Sequence, residues 1–249
     1  MAMYSEYAEV YDASGQLAFS LKMIPYLQRL LERHPAPGKT MLDLACGTGT
    51  VAVSFAQEGW SVYGVDGSPR MLDQARRKAA EIGVSVAWSC QDMRRFVLPK
   101  PVHLATCLYD SMNYMLTGED LSAVFQRVYA NLAPGGLWIL DMNTAYALAT
   151  VWDDATYFSD SPDLSMVMKS RYDERRQRCT VTVTCFQRVN DLYRKIVEKH
   201  TEQAYPPEQV SMYLVDAGFV LEGSYECFST EPPRATTQRI LWVARRPGF

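Results

Sequence analysis

The residues best suited to chemistry in this sequence follow an apolar run near position 40. Met41 to Ala45 is predicted to be a short buried strand, and Cys46-Gly47-Thr48-Gly49 follows it directly. Gly47 and Gly49 permit a tight turn and let the backbone approach a ligand without a Cβ in the way. A helix after such a turn is typical of nucleotide binding. The sequence therefore predicts a nucleotide-like ligand at this turn.

A second predicted strand ends in an acid that fits the same ligand. Ser61 to Asp66 is the strand, and Asp66 lies 19 residues after Gly47. Its carboxylate can accept hydrogen bonds from both ribose hydroxyls. Ser68-Pro69 then marks the start of a helix. The spacing of the two glycines and Ala52 also fits a dinucleotide turn, so a nicotinamide cofactor remains possible at this stage.

Four segments in order resemble the motifs of class I S-adenosylmethionine-dependent methyltransferases, across roughly residues 40–143. Asp43 to Gly49 resembles motif I, and Val65 to Leu72 matches the family's ribose-binding segment. Gln91-Asp92-Met93, after a predicted strand at 84–89, resembles the pair that binds adenine. Leu132 to Gly136 resembles the turn before the fifth strand. A nicotinamide enzyme leaves Asp92 and the Pro134-Gly135-Gly136 turn unexplained.

The resemblance implies that S-adenosyl-L-methionine is the cofactor and S-adenosyl-L-homocysteine its product. It also implies a set of cofactor-binding residues. These are Tyr11, Asp43, Ala45, Cys46, Gly47, Gly49, Asp66, Gly67, Ser68, Met71, Gln91, Asp92, Met93 and Tyr109.

Candidate residues for the methyl acceptor follow the strand that begins near His103. Ligands in open α/β sheets bind beyond the carboxyl ends of the strands, so Tyr109, Asp110 and Asn113 are expected at the site. This segment resembles one found in relatives of sugar N-methyltransferases and glycine methyltransferases. Asp110 has an alternative role as the cap of a turn.

His200 is the fourth catalytic candidate. It shares a strand face with Glu198 and Glu202, whose charges would raise its pKa. As a lone histidine among charged residues, it is expected to be exposed.

Residues 1–39 are predicted to be a helical segment with one aromatic face. Tyr4, Tyr7 and Tyr11 have helical spacing, which is compatible with simple packing on the domain. The segment also resembles the lid of many small-molecule methyltransferases, in which tyrosine hydroxyls reach the cofactor. The helix that follows is expected to be broken or kinked near Pro25.

The predicted fold class is α/β, with a Rossmann-like, seven-stranded and mostly parallel sheet covered by helices on both faces. Residues 1–143 and 205–249 are assigned to this domain. Residues 144–204 are assigned to an antiparallel β insert after the fifth strand, because apolar and polar residues alternate from Cys179 to Phe186. The insert is expected to cover the acceptor or to form a dimer surface, so a homodimer is possible.

The composition limits the classes of partner. The chain has 249 residues, 48% of them hydrophobic, and a net charge of −3, which offers no basic surface for nucleic acid. It has no apolar run of membrane-spanning length and no signal-peptide pattern, so a cytoplasmic protein without a membrane partner is expected. Six cysteines without a C-x-x-C pair and three separated histidines predict no metal site.

The sequence thus predicts an enzyme that transfers a methyl group, by in-line displacement, to a nitrogen or oxygen nucleophile of a small molecule. The alternative is a protein of the same fold that binds the cofactor without transferring methyl, such as a cyclase-type enzyme or a partner subunit. Intact motifs favour the enzyme. The acceptor remains open.

Overall fold

A seven-stranded sheet forms the centre of the molecule in the structure, a computed structural model that describes residues 4–248. The strand order is β10-β11-β5-β4-β1-β2-β3, and a second sheet has the order β6-β7-β8-β9. The strands are β1 (Thr40–Leu44), β2 (Ser61–Asp66), β3 (Ala87–Cys90), β4 (Val102–Cys107), β5 (Leu132–Asn143), β6 (Thr156–Asp160), β7 (Leu164–Asp173), β8 (Arg178–Val189), β9 (Leu192–Gln203), β10 (Val220–Glu226) and β11 (Arg239–Arg245).

The first five strands of the large sheet are parallel, and β11 inserts antiparallel between β5 and β10. The carboxyl ends of the parallel strands therefore meet at one edge, where ligands of such sheets bind. The predicted Rossmann-like fold with an insert after the fifth strand is confirmed. Two local boundaries differ: the third strand is Ala87–Cys90, and the predicted turn at Leu132–Gly136 belongs to the irregular start of β5.

Five α-helices cover the large sheet. They are α1 (Leu17–Arg33), α2 (Thr50–Gln57), α3 (Pro69–Ile82), α4 (Gly118–Asn131) and α5 (Pro207–Asp216). Apolar residues of α1 and α2 pack in one core cluster, and those of α4 and α5 pack in another. Four short helical segments accompany them, at Tyr7–Glu9, Asp12–Gln16, Ser111–Tyr114 and Ala147–Val151. No helix within residues 4–248 is long and apolar enough to span a bilayer.

Helix α1 continues through Pro25, so of the two expected outcomes, a break or a kink, the break is wrong. Proline removes the hydrogen bond to the carbonyl four residues earlier, which belongs to Leu21. Both Pro25 and Leu21 lie on the exposed side of the helix, where water can bind that carbonyl. The proline is therefore tolerated without interrupting the helix.

The second sheet is a four-stranded antiparallel unit with one buried face. Cys179, Val181, Val183 and Cys185 of β8 are buried, and the threonines between them are only partly buried, as the alternation predicts. The buried face packs against Tyr7 and other apolar residues of the N-terminal segment. The first three residues of the predicted lid and the last residue of the predicted domain lie outside the described range.

Candidate functional site

The carboxyl ends of the parallel strands open into a first cavity of about 380 Å³. Of the predicted cofactor-binding residues, all except Gly49 line it. They are Tyr11, Asp43, Ala45, Cys46, Gly47, Asp66, Gly67, Ser68, Met71, Gln91, Asp92, Met93 and Tyr109. The structure therefore brings together residues contributed by the lid, β1, β2 and the segments after β3 and β4.

Asp66 ties the glycine turn to the start of α3. Its Oδ2 accepts the backbone N–H of Gly47 at 2.8 Å, and its Oδ1 accepts that of Ser68 at 2.8 Å. Burial raises the pKa of Asp66, whereas these two hydrogen bonds lower it. Each carboxylate oxygen has a further lone pair, so Asp66 can still accept hydrogen bonds from a diol in the cavity.

The two glycines of the turn have different roles. Gly47 has φ +53°, and a Cβ there would meet no atom within 4 Å, so its backbone faces open space. Gly49 has φ +75°, and a Cβ there would lie 2.6 Å from the Trp88 ring and 2.8 Å from the Ala75 side chain. Gly49 therefore allows the turn to pack on β3 and α3 and is placed away from the cavity lining.

Asp43 is a buried carboxyl group with an unsatisfied oxygen at the floor of the first cavity. Its Oδ1 accepts a hydrogen bond from Thr106 Oγ1 at 2.9 Å, and among the described residues its Oδ2 has no hydrogen-bond partner. Burial raises the pKa of Asp43 to about 7. A ligand that brings a cation or a hydrogen-bond donor would stabilise the charged form.

The residues after β3 form the more exposed wall of this cavity. Asp92 pairs with Arg94, with Oδ2 and Nη2 2.5 Å apart, and this contact lowers the pKa of Asp92. Gln91 accepts the backbone N–H of Val97 at 2.9 Å. Asp92 therefore keeps its charge beside the cavity.

A second cavity of about 490 Å³ lies between the large sheet, the N-terminal segment and the insert. Four tyrosines, Tyr4, Tyr11, Tyr109 and Tyr114, line both cavities and form the boundary between them. The hydroxyls of Tyr4 and Tyr114 are 2.8 Å apart, within hydrogen-bonding distance. Residues of the insert that face the second cavity include Trp152, Met168, Ser170, Val181, Val183, His200 and Glu202.

A buried cluster of charges supports the wall of the second cavity. Arg239 binds Asp141 through Nη1 at 2.8 Å and Asp110 through Nη2 at 2.9 Å. Asn143 Nδ2 donates to Asp110 and to Glu202, both at 2.8 Å. Burial raises the pKa values of Asp110 and Glu202, whereas Arg239 and Asn143 lower them. The cluster thus contains three carboxyl groups and one guanidinium.

Asp141 fixes the turn that presents two predicted catalytic residues. It accepts the backbone N–H of Tyr109 at 3.0 Å and of Asp110 at 2.8 Å. Both residues have left-handed backbones, with φ +58° and +53°, which costs energy for residues other than glycine. Asp110 is therefore part of a buried ionic network that lines the second cavity. Capping the turn, the alternative role expected from the sequence, does not describe all of its contacts.

His200 is buried, so the expectation of an exposed side chain is wrong. It is 4% exposed, because the Tyr4 ring covers it with centroids 4.7 Å apart. Its pKa is lowered by burial, with a smaller opposing effect of Glu198, so the expected rise is also wrong. Its Nδ1 lies 3.1 Å from the Tyr114 hydroxyl, and Nε2 has no hydrogen-bond partner in the described part of the chain.

Asn113 is placed away from both cavities. Its side chain is fully buried and donates to the backbone carbonyls of Asn143 at 3.1 Å and Gln203 at 3.0 Å. Its Oδ1 accepts the backbone N–H of Asn143 at 2.9 Å. Asn113 therefore connects the end of β5 to the end of β9.

The N-terminal segment covers both cavities and is held by the insert. Glu198 accepts the backbone N–H groups of Tyr4 at 2.9 Å, Ser5 at 2.8 Å and Tyr7 at 3.1 Å. Farther along the segment, Asp12 forms an ion pair with Lys78 at 2.8 Å. The segment is therefore tied to the insert at one end and to α3 farther along.

Sequence reasoning missed Asp141, Asn143 and Arg239 as parts of this site and treated Glu202 only as a neighbour of His200. Asp141 and Asn143 come at the carboxyl end of a parallel strand, which is a usable signal. Arg239 begins the last strand, and its position among apolar residues carries no signal of its own.

Comparison with known proteins shows which sequences this chain resembles. A family model described as a methyltransferase domain matches residues 41–136. A putative methyltransferase from Geobacillus sp. (strain WCH70) is 29% identical over 245 residues, covering 98% of this chain and 99% of the relative. The dTDP-4-amino-2,3,4,6-tetradeoxy-D-glucose N,N-dimethyltransferase of Saccharopolyspora spinosa is 31% identical over 144 residues, covering 56% of each chain.

Among solved structures, an S-adenosylmethionine-dependent methyltransferase from Clostridium acetobutylicum ATCC 824 is similar over nearly the whole chain. Its TM-score is 0.88 at 25% identity, and the match covers 98% of this chain and 99% of that one. The similarity therefore includes the insert as well as the large sheet.

Proposed function

We propose, from the premise that this chain is a class I S-adenosylmethionine-dependent methyltransferase, that it methylates a nitrogen atom of a small molecule bound in the second cavity. The observation that carries the proposal is the row of four tyrosines shared by the two cavities. A donor in one cavity and an acceptor in the other would meet across these rings. Positioning of this kind provides much of the rate of a displacement reaction.

The first cavity fits S-adenosylmethionine, which supplies an electrophilic methyl group on a sulfonium when bound. Asp66 has lone pairs free for a ribose diol, and Gly47 leaves the turn open to the ligand. Asp43 offers an unsatisfied oxygen to a donor or cation. Gln91, Asp92 and Met93 line the wall assigned to adenine, and the remaining residues of the predicted set line the rest of the cavity. Gly49 supports this site through packing.

The second cavity would hold the acceptor with its nitrogen directed at the methyl group. A nitrogen lone pair in this position would displace the sulfur from the methyl carbon in line, the carbon–sulfur electron pair would stay on sulfur, and the amine would give up one proton to a residue of the cavity. His200 is the assigned proton acceptor, because it lines the second cavity, its Nδ1 contacts the hydroxyl of Tyr114 at the boundary of the two cavities, and burial keeps it neutral. Tyr109 and Asp110 hold the acceptor, and Asn113 positions the insert.

The insert is assigned as the roof of the acceptor site. Its strands β7, β8 and β9 contribute Met168, Val181, Val183 and His200 to the cavity lining. A nitrogen acceptor is favoured because the Saccharopolyspora spinosa relative is an N,N-dimethyltransferase of an amino sugar. It is also favoured because an amine needs only to be unprotonated to attack.

The proposal is tested by incubating the protein with S-adenosylmethionine that carries an isotopically labelled methyl group and a panel of small amines and alcohols. Mass spectrometry is expected to find the label on amines, together with one S-adenosylhomocysteine for each methyl transferred. The Asp66→Ala variant is the control for background transfer. Label on alcohols only, or no label with the cofactor bound, would overturn the proposal.

A further inference from the structure

The wall of the second cavity combines buried carboxyl groups with aromatic rings. Asp110 and Glu202 line the cavity, and no lysine or arginine does so in the part of the chain that the structure describes. Arg239 belongs to the same cluster, and its guanidinium is already paired with Asp110 and Asp141. The cavity therefore has no free positive group with which to hold an anion.

Glu202 is the carboxyl group left without a cation. Glu202 is 3% exposed, and the only hydrogen bond of its side chain among residues 4–248 is the one that Oε2 accepts from Asn143 Nδ2 at 2.8 Å. Its Oε1 has no hydrogen-bond partner within the same residues and belongs to a residue that lines the cavity. A buried carboxylate without a partner is costly, and an ammonium group beside it would remove that cost.

The aromatic rings favour the same kind of ligand. Tyr4, Tyr7, Tyr11 and Trp152 line the cavity together with Tyr109 and Tyr114. The faces of such rings attract cations, with an energy that grows when the cation leaves water. An anion in this cavity would face the rings and the carboxylates at once, and close like charges cost several kcal/mol.

We propose that the acceptor is a compact amine that enters as an ammonium ion, pairs with Glu202, passes one proton to His200 so that its nitrogen can attack, and leaves as a methylated ammonium ion. It carries no phosphate or carboxylate group inside the cavity. This inference rests on the proposed function and narrows the class of acceptor. It excludes acceptors that would place an anionic group inside the cavity. Asp110 contributes to the negative field while it remains paired with Arg239. Glu202 binds the acceptor, and its role is separate from that of His200.

The test uses calorimetry with three probes of one shape, in the presence of saturating S-adenosylhomocysteine. Cyclohexylamine is the cation, cyclohexanol is its neutral counterpart, and trans-4-aminocyclohexanecarboxylic acid adds an anion to the amine. The amine is expected to bind at least about tenfold more tightly than either of the others. Equal or tighter binding of the carboxylated probe overturns the inference, and so does failure of all three probes to bind.

A matched pair of variants then tests Glu202 itself. Glu202→Gln keeps the shape and removes the charge, and it is expected to weaken cyclohexylamine by about tenfold while leaving cyclohexanol and S-adenosylhomocysteine within about twofold. Glu208→Gln, at an exposed position on α5, is the control. Unchanged affinity of Glu202→Gln for the amine overturns the assignment of Glu202. If that variant does not fold, the three probes on the unaltered protein decide.

Binding and turnover separate this inference from the proposed function. Tight, Glu202-dependent binding of the amine, with no methylation of any amine in the panel, leaves the cavity's preference for cations standing and overturns the proposed function. Methylation of the carboxylated probe as fast as of cyclohexylamine supports the proposed function and overturns the inference.

Discussion

Asp66 carries a specific expectation for cofactor binding. Asp66→Ala would remove the two charge-assisted hydrogen bonds proposed for the ribose, each worth about 1.5–3 kcal/mol, and it removes the anchors of the Gly47 and Ser68 amides. Affinity for S-adenosylhomocysteine should fall at least about a hundredfold, or roughly 3 kcal/mol, by calorimetry. Asp73→Ala, at an exposed position on α3, should bind normally. Equal affinity of the Asp66 variant and the unaltered protein would exclude the ribose role.

Asp43 carries an expectation for stability as a function of pH. The folded state raises its pKa from 3.8 to about 7, so this carboxyl group favours folding when protonated, and that contribution is lost as the pH rises from about 4 through 7. Asparagine does not titrate. The free energy of unfolding of Asp43→Asn, relative to the unaltered protein, should therefore increase by about 3 kcal/mol between pH 5 and pH 8. Urea denaturation of the ligand-free proteins measures this, and a difference independent of pH would contradict it.

Some residues of the candidate site could be predicted from the sequence, and others could not. Asp43, Gly47 and Asp66 were identified because strand, turn and helix are consecutive in the chain, so their spacing carries the information. His200 was misjudged, because its burial depends on a ring from the other end of the chain. The charged residues near His200 in the sequence do not indicate that a ring from a distant part of the chain covers it.

At the scale of elements, β9 determines the position of the N-terminal segment. Glu198 accepts hydrogen bonds from three backbone N–H groups of that segment, and an amide in its place would lose the charge that strengthens them. Glu198→Gln should make backbone amides of residues 4–11 exchange about tenfold faster, which hydrogen–deuterium exchange measures directly.

The exposed Glu208→Gln variant controls for the loss of a surface charge, and its exchange over residues 4–11 should be unchanged. If Glu198→Gln exchanged at the same rate as this control, the segment would be held by its ion pairs and apolar packing instead.

The elements themselves were largely predictable, and their assembly was less so. Period-two alternation identified β8, and apolar periodicity identified α4, because each depends on neighbours in sequence. The ionic network draws Asp110, Asp141, Glu202 and Arg239 from four separate elements. Its members share no sequence spacing, so only the fold brings them together.

At the scale of the whole molecule, the chain forms two neighbouring cavities from different parts of the fold. The large sheet supplies most of the first cavity, the insert supplies much of the second, and the lid covers both. An ionic network connects the large sheet to the wall of the second cavity through Asp110, Asp141 and Arg239. Asn143 extends this network to β9. A donor and an acceptor must therefore bind at the same time, on opposite sides of the tyrosines.

A bisubstrate ligand tests that claim most directly. In this ligand a short amine-bearing chain replaces the methyl group of the cofactor, so that one molecule reaches into both cavities. We expect it to bind at least about tenfold more tightly than S-adenosylhomocysteine by calorimetry, and Val151→Trp, at the exposed rim of the second cavity, to abolish the gain while leaving S-adenosylhomocysteine affinity unchanged. Affinity no greater than that of S-adenosylhomocysteine, or a gain that survives Val151→Trp, would contradict the two-cavity account.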